Sequence, residues 1–110
     1  MKATTAAPDN LALFQGRWRG EALGCGVNSW GYTRDIFVSL AIADGKIVGK
    51  IKEEGEPNSQ EDRFTTTARA ASFAAKDYVQ VTELLKLKFD ANSLDISAKF
   101  DGCPMELTRN

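Results

Sequence analysis

A chain of 110 residues, 43% hydrophobic and 26% charged, has room for one folded domain with one core and is too apolar to be disordered. Lys and Arg number 14 against 15 Asp and Glu, a net charge of −1, so there is no basic excess to point to a nucleic-acid partner. Histidine is absent, which excludes His general bases, Ser-His-Asp triads, and zinc or haem held by His.

Residues 1–12 are polar and carry no apolar run of the kind a signal peptide needs. They are expected to form a flexible tail, with 13–110 as a single β-barrel domain. No stretch approaches the roughly 20 apolar residues of a membrane span, so no membrane insertion is expected. From residue 14 the pattern has period two. Phe14, Gly16, Trp18, Gly20 and Ala22 share one face, and Gln15, Arg17, Arg19 and Glu21 share the other, which predicts a strand over 14–23. A glycine-rich loop follows over 24–33. Strands are predicted over 34–43 and 46–54, joined by Asp44-Gly45, a two-residue hairpin signal. That turn pairs Ile42 with Ile47, Leu40 with Gly49 and Val38 with Ile51, so every large aliphatic lands on one face. Gly49 opposite Leu40 leaves room for a bend or a bulky ring.

Residues 55–62 read as a solvated loop, since 53–62 hold five acids and no base. A strand rich in Thr and Ala is predicted over 63–73. Residues 78–89 read as strand, since Tyr78-Val79-Gln80-Val81-Thr82 is rich in β-branched residues and Leu85, Leu87 and Phe89 alternate with Lys86 and Lys88. A helix over 70–85 is the competing reading, because of the alanines. The last strands, 94–100 and 103–109, are joined by Asp101-Gly102, with Phe100, Met105 and Leu107 inward. The fold class is therefore all-β: an antiparallel up-and-down meander closing into a small barrel.

Seven strands cannot close such a meander with every neighbour antiparallel. A hidden reversal near Thr82–Leu84 gives eight, which suits a small barrel. Glu83 is then a turn residue. Long loops gather at one end, and the short turns at 44–45 and 90–93 at the other. Cys25 and Cys103 test this arrangement. If the last strand runs antiparallel to the first, the two cysteines lie at the same end and can form a disulfide. If it runs parallel, they stay apart as free thiols. The register that sets 25 against 103 brings 19 against 109, one residue from pairing Trp18 with Arg109. The stretch Gly24-Cys25-Gly26 should therefore leave the pleat. A disulfide implies a periplasmic or secreted protein; free thiols imply a cytoplasmic one.

Gly16-Arg17-Trp18 at the start of the first strand and Arg109 at the end of the last resemble the Gly-x-Trp opening and closing arginine of the calycins, the lipocalin and avidin superfamily. That resemblance implies an up-and-down barrel plugged at one end by Trp18 packed on Arg109, a cation–π contact. It also implies a binding site at the opposite, open end. The chain is shorter than a typical lipocalin. Its size, polar tail and single cysteine pair are similar in architecture to the small periplasmic protease inhibitors of bacteria.

The open-end loop holds Trp30, Tyr32 and Arg34, residue types enriched at binding hot spots, which makes them the candidate site. No phosphate loop, metal-ligand spacing or nucleophile–base pair is visible, so no catalytic residues, metal or cofactor are expected. The expected role is non-enzymatic binding of a small apolar ligand or a protein partner through the open-end loops. The alternative is inhibition of a secreted hydrolase through the N-terminal tail and its adjacent surface.

Overall fold

The structure is a computed structural model that describes residues 12–55, 59–67, 78–90 and 93–110. Its named elements are eight strands: β1 Gly16–Ala22, β2 Asp35–Ala43, β3 Lys46–Glu54, β4 Ser59–Thr67, β5 Val79–Gln80, β6 Leu85–Asp90, β7 Asp95–Phe100 and β8 Cys103–Arg109. All neighbours run antiparallel, in the order β4-β3-β2-β1-β8-β7-β6-β5. The sheet is one up-and-down meander curled into a half-barrel. Its first and last strands pair, through Trp18 with Arg109 and Arg19 with Thr108. The ends of the sheet are β4 and β5, and among the described residues no pairing joins them.

The hairpin register follows from the turn chemistry. Asp44 and Gly45 both have positive φ, 54° and 72°, as a two-residue turn of matching twist requires. Ile42 then pairs with Ile47, Leu40 with Gly49 and Val38 with Ile51. The ring over Gly49 is that of Phe64, and a Cβ at Gly49 would fall inside it. The reversal in the run 78–89 is present without glycine, proline or asparagine. Thr82 makes it: its hydroxyl accepts from the amides of Leu84 (3.3 Å) and Leu85 (3.0 Å). The Leu85 carbonyl accepts from Val81 (3.0 Å) and Thr82 (3.2 Å). Glu83 is an exposed residue of this bend. The part of the competing helix over 70–85 that falls on 78–85 is strand and bend, and 70–77 lies outside the described residues.

One element differs from expectation. The loop predicted over 55–62 is shorter, and the strand predicted over 63–73 starts at Ser59. Every residue of β3 pairs with β4, from Lys46 with Thr67 to Glu54 with Ser59, so Glu61 and Asp62 are strand residues. The polar run Ser-Gln-Glu-Asp-Arg hides the strand because an edge strand does not need two-sided apolar alternation and is often charged. The stretch 68–73 lies outside the described residues.

The concave face is filled. Phe14, Ile36, Ile47, Leu85, Leu87 and Ile96 are fully buried, and Trp18, Ile51, Phe100 and Met105 nearly so. Segment 13–14 folds across the end of the half-barrel away from the β1–β2 loop. There the Phe14 ring meets Phe89 edge-on at 5.2 Å and Trp18 at 6.2 Å. Trp18 Nε1 donates to the Phe14 carbonyl at 2.8 Å. The Arg109 guanidinium lies 4.5 Å from the Trp18 ring and donates to the Leu13 carbonyl at 3.0 Å.

Candidate functional site

The β1–β2 loop, 23–34, is anchored before it reaches its tip. Cys25 is bonded to Cys103 at a Cα separation of 5.8 Å. Because Trp18 rather than Arg19 pairs with Arg109, the cysteines fall one residue out of register with β1 and β8. Gly24 and Gly26 absorb the difference with φ of 68° and 67°, and Cys25 leaves the pleat to be buried. The disulfide fits an oxidising environment.

Arg34 is the second anchor. Its Nε donates to the Cys25 carbonyl at 3.0 Å, and one guanidinium nitrogen lies 3.9 Å from the Cys25 sulfur. The same group pairs with Glu53 on β3 at 3.3 Å and with Asp101 in the β7–β8 turn at 3.1 Å. The Arg34 and Glu53 side chains are only 16% and 19% exposed. Partly withdrawn from water, such charge-assisted bonds are stronger than those of a surface pair. One side chain thus ties the loop, β3 and the β7–β8 turn together.

Beyond the anchors the loop is a small hairpin of its own. Val27 and Thr33 form a β-bridge. The Asn28 carboxamide oxygen accepts from the amides of Trp30 (2.9 Å) and Tyr32 (3.0 Å). This short polar side chain bonding the backbone ahead of it is what makes asparagine a turn former. The tip carries Trp30, 64% exposed, and Tyr32, 51% exposed, with Leu23 and Val27 also exposed on the same loop. Trp30 walls a cleft of about 280 Å³ whose far side is formed by Glu53, Glu54, Gly55 and Gln60.

The three expected site residues therefore divide. Trp30 and Tyr32 face solvent at the tip, and Arg34 lies beneath them with its guanidinium committed to the scaffold. Spacing in sequence could not reveal this, because its partners Glu53 and Asp101 are 19 and 67 residues away. Glu53 is the residue the sequence reading missed, masked by the run of acids that follows it. Among the described residues, no group of three or more Cys, Asp or Glu could hold a metal ion. Residues 1–11 of the tail, on which the inhibitor alternative depends, lie outside the described residues.

No family, curated protein or solved structure matches the chain.

Proposed function

We propose that this chain is a non-catalytic, calycin-like binding protein of a periplasm or the extracellular space, which engages a protein partner through the tip of its β1–β2 loop. One observation carries the reading: Trp30 and Tyr32 are exposed at the end of a loop held by a disulfide, an internal hairpin and Arg34. Large aromatics on a pre-ordered loop offer contact area at little entropic cost on binding. The filled concave face favours a protein partner over a small apolar ligand in the interior. The calycin likeness rests on Gly16-Arg17-Trp18 and Arg109. It draws support from the Arg109–Trp18 contact and from the pairing of first and last strands.

The test compares wild type with the Trp30→Ala/Tyr32→Ala variant as baits for partners cross-linked in a periplasmic or secreted extract of the source cells. The expected result is a partner held by wild type and lost by a variant that melts at the same temperature. A variant that captures the same partner equally well refutes the site, and one that unfolds makes the pair structural.

A further inference from the structure

The convex face of β1–β4 carries a set of cations of which, among the described residues, Arg63 alone meets a carboxylate. In-register pairing sets Arg19 opposite Ser39, Ser39 opposite Lys50, and Lys50 opposite Arg63. These residues share the face that points away from the core, so they form one row across four strands. With neighbouring strands about 4.8 Å apart, the row spans roughly 14 Å. Arg17 stands beside it, two residues along β1. A cleft of about 330 Å³ on this face is lined by Arg17, Arg19, Lys50 and Arg63, with no Asp or Glu among the described residues. A larger one of about 670 Å³ shares Arg19, Ser39 and Lys50 and is bordered by Glu21 and Glu106.

The arrangement runs against sheet stability. Like charges directly opposite on neighbouring strands repel, and Lys50 faces Arg63 directly. Two residues along the same strands the signs are matched: Lys52 faces Glu61 and meets Glu54 at 2.9 Å. The hydrogen bond that Lys52 donates to the Glu54 carboxylate, together with that carboxylate's charge, raises the Lys52 pKa above the ordinary lysine value. In the cation row only Arg63 meets an acid, Glu61 at 3.4 Å. Among the described residues, Arg17, Arg19 and Lys50 form no ion pair. A chain of net charge −1 has gathered four cations where alternating signs would stabilise it. Places where local rules are broken without local compensation are where function is to be sought.

The geometry narrows the ligand. The row runs across the outer face of the sheet and not along its edge, so a peptide strand adding at the edge of β4 would lie beside Arg63 alone. Guanidinium groups grip carboxylate and phosphate through two parallel bonds, and a sulfate group presents the same tetrahedral set of oxygens. One strand spacing is close to the advance of one sugar unit in an extended chain. Cations on β1, β3 and β4 therefore match charges on successive or alternate sugars. The disulfide fits the oxidising surroundings in which such chains are met. We propose that this face binds an anionic polysaccharide, bearing uronate or sulfate groups, along the Arg19–Ser39–Lys50–Arg63 row.

The probe is a heparin-derived octasaccharide, titrated calorimetrically into the full chain. Neutral dextran oligosaccharide, single-stranded DNA of equal charge and anionic phospholipid vesicles are the comparison arms. The octasaccharide should bind and dextran should not. DNA and vesicles should bind at least about tenfold more weakly, and octasaccharide affinity should fall between about 50 and 200 mM salt. Lys50→Glu turns the repulsion with Arg63 into an opposite-charge pair. It should raise the melting temperature and still weaken octasaccharide binding about tenfold or more. Arg19→Gln/Arg63→Gln should weaken it similarly without loss of stability. The Trp30→Ala/Tyr32→Ala variant should bind the octasaccharide like wild type, which keeps this test separate from that of the loop. The proposal is overturned by no octasaccharide binding, by unchanged binding in Lys50→Glu, by equal or tighter binding of DNA or vesicles, or by loss of sugar binding in the loop variant.

Discussion

Replacing Trp18 by alanine should remove the plug at the end of the half-barrel opposite the β1–β2 loop. Trp18 is 3% exposed and packs on Phe14 and under Arg109. A buried Trp→Ala change costs about 3–5 kcal/mol, since packing around the void relaxes only in part. The hydrogen bond from the indole to the Phe14 carbonyl is lost as well, which costs about 1 kcal/mol. Against the 5–15 kcal/mol expected for a domain, roughly a third or more of the stability goes. At about 4–8 °C per kcal/mol, the melting temperature should fall by roughly 15 °C or more. Trp18→Phe, which keeps a ring but not the donor, should cost only about 1–2 kcal/mol. The assay is thermal unfolding followed by far-UV circular dichroism. A fall of under about 5 °C for Trp18→Ala would show that the ring is not part of the core and would refute the packing argument.

Opening the Cys25–Cys103 bridge by a double Ser substitution should cost about 2–5 kcal/mol in urea unfolding and should speed amide exchange in 23–34 before the sheet. Arg34→Met keeps the apolar stem but loses the bonds to Cys25, Glu53 and Asp101. It should destabilise by about 1–3 kcal/mol and speed amide exchange in the loop more than in its flanking strands. Gly49→Ala puts a methyl into the Phe64 ring and should cost about 1–3 kcal/mol in thermal unfolding. Gly49→Ala combined with Phe64→Leu should recover part of that loss, and strictly additive effects would deny the contact.

The meander was legible because its main signals are local. Alternation in β1, β2, β7 and β8 marks the buried face, and Asp44-Gly45 and Asp101-Gly102 mark turns whose residues all take positive φ. The reversal at Thr82 was reachable only by counting strands, since its turn is built from a threonine hydroxyl and lacks the usual glycine or asparagine. The displacement of Cys25 from the pleat followed from the one-residue mismatch between the cysteine pair and the Trp18–Arg109 pair. The N-terminal half of β4 was not legible. A charged edge strand facing solvent carries no apolar alternation, and only its pairing with β3 reveals it. At the candidate site, exposure of Trp30 and Tyr32 could be read from the polar and glycine-rich loop around them. The scaffold role of Arg34 could not, because it depends on three segments that meet only in the folded chain.

The central claim is that Trp30 meets the partner directly, and its own fluorescence tests that claim. The chain has two tryptophans, so Trp18→Phe leaves Trp30 as the sole indole. Alone, its emission should be that of a water-exposed indole and readily quenched by acrylamide. On adding the captured partner, the emission should shift to the blue and quenching should fall as the ring is desolvated. A complex that forms with Trp30 emission and quenching unchanged would contradict the account.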